Sequence, residues 1–277
     1  MNSAPIRVAD GRATALAELR RRLAAVDAGT GSAEPLLPIG CEFVDSLLGG
    51  GLLPHALHEI LPAPGHPHAH ALGAAFAARI AGRIACREGR DILWAGPMHD
   101  LFPPGLAHAG LPPAQLLFAR ANRDRSVLAA MEEAMGSVAG VVGELQRPGP
   151  WLTAASRRLQ LRAARTGTLA LLLHRRPLSA RVPTAAASCW ELAPAPSAMP
   201  AWRPLHAGVG GPGIGPPCLL LTLARARGAA AMVLPQTFLL EASWPLDPDA
   251  PNHLALASQL ADRPASARPV EGRCAAA

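Results

Sequence analysis

The sequence predicts an α/β protein: a doubly wound, mostly parallel sheet with helices on both faces and antiparallel strands at its C-terminal edge. Three observations carry this. Short apolar stretches alternate with helical periodicities at least four times between residues 55 and 175, which is how strand–helix–strand units build a parallel sheet. The segment TLALLLHR (168–175) is apolar almost without interruption, as a strand covered by helices on both sides must be. Beyond Arg176 the helical periodicity stops. SCWELAP, CLLLTLARAR and QTFLLEAS then follow as strands with no helix between them, which suits an antiparallel extension of the sheet.

The elements follow in order. Residues 12–26, RATALAELRRRLAAV, put Leu16, Leu19, Leu23 and Val26 on one helical face and Arg20, Arg21 and Arg22 largely on the other. DAGTGSAEP is a flexible tether, so residues 1–35 are expected to be an amphipathic helix and linker ahead of a core spanning 36–245. Within the core, Phe43, Val44, Leu47 and Leu48 suit a short helix stopped at Gly49–Gly51. HALHEIL (55–61) is a buried strand, followed by a Pro/Gly loop and a long apolar helix from His70 to Arg87. RDILWAG (90–96) is the second strand, and LAHAGLPPAQLLFAR gives a helix, a turn and a strand near Leu116–Ala119. A helix over 124–137 is expected to take Asp124 as its N-cap. VAGVVGEL (138–145) is a strand, and TAASRRLQLRAARTG (153–167) is a helix stopped by Gly167. Residues 246–277 read as a mobile tail, with a weak amphipathic helix at HLALASQLA.

Composition narrows the chemistry. The 277 residues, half of them hydrophobic, suffice for one domain of ~200–250 residues with a large core. All 26 basic residues are arginines, and both lysine and tyrosine are absent. The chain therefore offers no phosphate-loop lysine, no Schiff-base lysine and no tyrosine acid. A net charge of +6 permits nucleic-acid contact or an acidic partner without demanding either. The five cysteines are scattered and never form a C-x-x-C pair, so neither a disulfide framework nor a zinc ribbon is expected. The opening MNSAPIRVADGR lacks an apolar stretch, and no run of ~18 uncharged apolar residues appears. Cytoplasmic placement is the expectation.

Catalytic constellations are sparse. HPHAH (66–70) alternates histidines, but no cysteine or acid stands at ligand spacing beside it, so a drifted surface loop is favoured over a metal site. Ser156, Ser179 and Ser188 lack a nucleophile elbow, and Glu132 and Glu133 diverge on their helix. Arg158, Arg162 and Arg165 share a helical face and are candidates for contact with DNA or a partner, against the plain reading of a solvated face. Trp202 lies in a Pro/Gly-rich loop, where an exposed aromatic would make a partner anchor. His174, Arg175 and Arg176 leave the last core strand at the sheet end where ligands usually bind, although a solvated strand exit is favoured over a functional contact there.

The order of motifs carries a resemblance. LPIGCEFVDSLLGGGLLPHALHEI is similar to the opening of a RecA-type core, and LAHAGLPPAQLLFARANRDRSVLAAMEEAMGSVAGVVGEL to its next unit. FVDSLLGGGLLPHALHEI, VVGEL and RRLQLRAARTGTLALLLHR resemble most closely the ImuA family, RecA-like accessory proteins of bacterial DNA-damage mutagenesis. The resemblance spans roughly residues 36–245.

It implies a nucleotide site whose working parts are missing. The loop Leu61–Ala71 carries Pro62, Pro64 and Pro67 around Gly65, and each proline deletes an amide donor from a phosphate nest built of such donors. The lysine position falls near His68, and the Mg²⁺-binding hydroxyl near Ala69 or His70. Gly143 stands in the metal-acid position, and Glu144, one residue on, is expected to point to the opposite face. Gly96, Pro97 and Met98 stand where a water-orienting glutamate belongs. The expectation is no ATP hydrolysis, no cofactor and no metal.

The resemblance further implies a non-catalytic adaptor of SOS-induced translesion synthesis. Its partners would be an ImuB-type Y-family-like protein and an error-prone polymerase, with RecA or a second copy as further partners, DNA contact weak, and nucleoid association when in complex. Recognition would run through the N-terminal helix, the exposed sheet edge and the C-terminal segment. Two alternatives stand beside it: a SulA-like division inhibitor that binds FtsZ, and a DNA-binding RecA-like ATPase.

Overall fold

A computed structural model describes residues 35–97, 100–177, 182–197, 218–227, 234–242 and 254–256. A short helix α1 (Glu42–Leu47) precedes strand β1 (Leu57–Pro62) and the long helix α2 (His70–Glu88). Then come β2 (Ile92–Gly96), α3 (Pro103–His108), a 3₁₀ turn (Pro113–Gln115) and β3 (Leu116–Arg120). The core continues with α4 (Asp124–Ala134), β4 (Gly140–Leu145), α5 (Leu152–Thr166) and β5 (Leu169–His174). β6 (Ser188–Ala195), β7 (Cys218–Ala226), β8 (Gln236–Ala242) and β9 (Leu254–Leu256) complete the described residues.

All nine strands join one sheet in the order β3-β2-β4-β5-β1-β6-β7-β8-β9. The pairs from β3 through β1 are parallel. β6 is also parallel, to β1, with Ile60 beside Trp190. It therefore belongs to the parallel body, although no helix intervenes among the described residues between it and β5. The antiparallel extension begins at β7. Three residues of the expected tail form β9 on the edge of β8. The sequence suggested a short helix there, but the strand aligns Leu254 and Leu256 with Ala242 and Leu240, so edge pairing replaces it.

Helices cover opposite faces of the parallel half. Trp94, Val142, Leu171, Leu173 and Ile60 point toward α2, while Ala95, Val141, Ala170, Leu172 and Leu57 point toward α4 and α5. This is the period of 2 in a strand read on both sides. α2 is alanine-rich and lies close to its neighbours. A Cβ at Gly73 would stand 2.8 Å from Leu173 Cδ1, and one at Gly82 only 1.9 Å from the Gly110 carbonyl oxygen. Larger residues would push the helix off the sheet and off the 109–111 turn. Ile80 and Ile84 are fully buried between them, each contributing about 1.5–3 kcal/mol of burial. Gly167 ends α5 at φ +65°, as its sequence position predicts.

Asp124 does not cap α4. It is the first helical residue, and the capping position is Arg123. Its carboxylate instead accepts the amides of Gln146 (2.8 Å) and Arg147 (2.9 Å), fixing the chain as it leaves β4.

Candidate functional site

The C-terminal ends of the parallel strands meet the loop 62–69 and the first turn of α2. Open α/β sheets bind ligands at this end. The loop's own bonding limits what it can do. Pro62, Pro64 and Pro67 carry no amide hydrogen. The amides of Ala63, His66 and Ala69 are spent on the carbonyls of Leu192, Ala63 and His66 at 2.8, 3.0 and 3.0 Å. Between 62 and 69 this leaves the amides of Gly65 (φ +82°) and His68. His66 and His68 are exposed, and His70 opens α2 without a side-chain cap before it.

A cleft of about 240 Å³ lies beside this loop, between the first turns of α2 (His70, Ala74), the segment Asp100–Phe102 and the ends of β4 and β5 (Glu144, Leu173). Its walls are mainly apolar, and Arg175 stands at the charged end. The guanidinium of Arg175 reaches two carboxylates at once. Nη1 donates to Glu144 Oε2 at 2.8 Å and to Asp100 Oδ1 at 2.9 Å, while Nη2 donates to Asp100 Oδ2. Asp100 raises the Arg175 pKa further above its ordinary value, with Glu144 adding to the effect against the cost of burial. Trp94 Nε1 donates to the other Glu144 oxygen at 2.8 Å. Both oxygens of a buried carboxylate are thus engaged by protein donors. His70 stands 3.6 Å from Asp100 at the rim.

This geometry corrects the strand register read from the sequence. Glu144 does not turn away from α2. It shares that face with Trp94 and Val142. Gly143 points the other way, where a Cβ would stand 2.2 Å from Met131 Sδ and 3.0 Å from Val127 Cγ1. An acid at 143 would be driven into the α4 core, so 144 is the position that can offer a carboxylate to the loop. Gly96 is neighbour to the same group. A Cβ there would meet Glu144 Cβ at 3.0 Å, so Glu144 fills the room that a side chain ending β2 would need.

A second buried carboxylate lies on the opposite face, and the sequence reading passed over it. Glu59 of β1 accepts from His174 Nε2 at 2.8 Å and from Thr184 Oγ1 at 2.7 Å. Arg225 of β7 donates to the same Thr184 hydroxyl at 3.0 Å. Burial alone would raise the Glu59 carboxyl. The hydrogen bonds from His174 and Thr184 and the charge of Arg225 outweigh it and hold the group below its ordinary value. His174 Nδ1 is buried without a partner among the described residues. A polar residue inside the apolar strand HALHEIL was the available clue, since a buried acid needs partners nearby.

The other expected site residues fall apart in space. Arg158 donates from Nε and Nη2 to Glu132 Oε1 at 3.2 and 3.0 Å, so it is already paired, whereas Arg162 and Arg165 are exposed on the same helix. Trp202, Leu16, Leu19 and Leu23 lie outside the described residues. Among the described residues no three His, Cys, Asp or Glu side chains converge to hold a metal ion. No helix among them is long and apolar enough to cross a membrane.

Known proteins share this architecture. The RadB recombinase crystal structure superposes with a TM-score of 0.53 at 15% identity, covering 80% of this chain and all of that one; the likeness shows a RecA-like fold. No protein-family model matches the chain. Protein ImuA from two strains of Caulobacter vibrioides is 33% identical over 253 residues, covering 87% of this chain and 97% of the relative. At that identity, over nearly the whole length of the relatives, the chain belongs to the ImuA family.

Proposed function

We propose that this protein is a non-catalytic accessory subunit of DNA-damage-induced mutagenesis, a RecA-like body used for docking rather than for hydrolysis. The observation that carries the non-catalytic reading is the seat of Arg175 between Glu144 and Asp100. An ATPase of this architecture needs an acid free to hold a divalent metal near the phosphates. Here the acid that faces the loop has its oxygens engaged by Arg175 and Trp94. The loop beside it has three prolines and no lysine.

The docking reading is supported by family membership and by the free edge of the sheet. Among the described residues β3 pairs on one side only, and its Leu117 and Phe118, on opposite faces, are both nearly half exposed. An edge of this kind can accept an added strand. The partners proposed are an ImuB-type Y-family-like protein and an error-prone polymerase, with residues 12–26, whose spacing predicts an amphipathic helix, as a further contact.

The test has two arms on the full chain. A coupled ATPase assay is expected to read no turnover above a no-protein control. Co-purification with an ImuB-type protein and an error-prone polymerase is expected, with FtsZ as the negative partner. Turnover would sink the non-catalytic reading. Capture of FtsZ in place of the polymerase assembly would replace the mutagenesis role with division control.

A further inference from the structure

The outer face of α5 combines two properties that seldom coincide on a solvated helix. Leu161 is 65% exposed, more than any other leucine among the described residues. Arginines surround it on the same face: Arg157 and Arg165 one turn to either side, with Arg158 and Arg162 beside them. Arg158 is held by Glu132 of α4. Arg157, Arg162 and Arg165 have no carboxylate partner among the described residues and are exposed. The buried face of the helix, Leu152, Ala155, Leu159 and Ala163, is fully used against the sheet, so the Leu161 face is not needed for folding.

We propose that this face docks an acidic protein segment carrying one large apolar side chain. This deepens the adaptor reading above and rests on it for its biological setting. Charge complementarity selects the acids: three uncompensated guanidinium groups prefer carboxylates, with which they can form paired hydrogen bonds. The central leucine selects against a plain polyanion, because a phosphate backbone gains nothing from an apolar contact. Spacing constrains the segment further. Arg157 and Arg165 lie about 6 Å along the helix axis on either side of Leu161, from a rise of about 1.5 Å per residue. An extended segment with the pattern acid–x–apolar–x–acid spaces its groups by about 6.6 Å on one side. It places an acid over each arginine and its apolar side chain over Leu161.

The test uses a fluorescein-labelled peptide containing Asp-Ser-Phe-Ser-Asp, read by fluorescence anisotropy with the full chain at low and moderate salt. Controls are the same peptide with Ser for Phe, and an oligothymidylate of similar charge. The Phe peptide is expected to bind, and to bind about tenfold tighter than the Ser peptide. Binding should weaken about tenfold in Leu161→Ser and by more in the triple variant Arg157→Gln, Arg162→Gln, Arg165→Gln. It should also weaken as salt rises. These positions are exposed, so circular dichroism and melting should not change.

Failure of the Phe peptide to bind, or equal binding by Leu161→Ser, overturns the proposal. Oligothymidylate binding that depends on the arginines and ignores Leu161 would make the face a phosphate surface instead. The mutagenesis role fails separately. If the polymerase assembly co-purifies equally with the α5 variants, only this docking site is wrong. If the peptide binds but no assembly is captured, only the proposed role is wrong.

Discussion

Glu59 and Glu144 are both buried carboxylates near the C-terminal end of the same sheet, yet they are stabilised in different ways. Glu59, on the α5 face, is held by an imidazole and a hydroxyl inside the core. Glu144, on the α2 face, is held by an indole and by a guanidinium that also reaches Asp100, a residue at the surface. The first arrangement is closed, and losing one donor strands a charge. The second is closed on its Trp94 side and opens toward solvent only on its Arg175 side, where water can replace the lost guanidinium. The contrast teaches that the cost of removing a partner depends on what can take its place, more than on the number of bonds.

The largest effect should come from the closed site. His174→Ala removes the main donor to Glu59 and leaves a cavity. It is expected to lower unfolding free energy by about 3–5 kcal/mol in urea titrations. An effect no larger than that of Glu144→Ala would erase the contrast.

Acid should unfold the protein through the same end of β1. His58 donates from Nε2 to the Leu53 carbonyl, and its Nδ1 accepts from Ser188, whose oxygen also receives Trp190 Nε1. A proton on Nδ1 would reverse the bond to Ser188 and leave the serine hydroxyl hydrogen needing another acceptor. Burial pushes the imidazole down to about 4 from 6.5, against the Leu53 carbonyl, which raises it. The unfolded chain therefore takes up the proton first. The stabilisation is whole above pH 6.5 and drains as pH falls to about 4, at most about 3 kcal/mol. Glu59, whose folded carboxyl is depressed, adds to the loss below its ordinary value. Melting temperatures between pH 7 and 4 should show this, and His58→Gln should flatten the upper part of the limb.

Glu144→Ala should cost about 2 kcal/mol, mainly by orphaning the buried Trp94 Nε1. Glu144→Gln, which keeps an acceptor for the indole, should cost less. The smallest effect belongs to the exposed pair Arg158–Glu132. Glu132→Ala is expected to shift stability by less than about 0.5 kcal/mol.

The strands were legible because burial on both faces writes itself as apolar runs, TLALLLHR being the plainest. Gly167 was legible because a helix stop calls for a left-handed residue. Facing was less so. Family spacing puts the acid position at Gly143 and so turns Glu144 away, and only packing against Met131 shows that position 143 points into the core. Asp124 misled because a local cap and a distant amide pair ask for the same carboxylate. β9 is too short for its periodicity to speak, and its pairing comes from a neighbour across the sheet. Glu59 could be noticed as an acid within an apolar strand, but its partners lie 115 and 125 positions away in sequence.

Arg175 ties the segment at Asp100 to the end of β4 with a charge built into the polypeptide. A bound cation would come and go with its concentration in the cell, and the segment would loosen and tighten with it. A tethered guanidinium is present once per molecule at every concentration of salt or nucleotide, so this tie forms without waiting for a ligand.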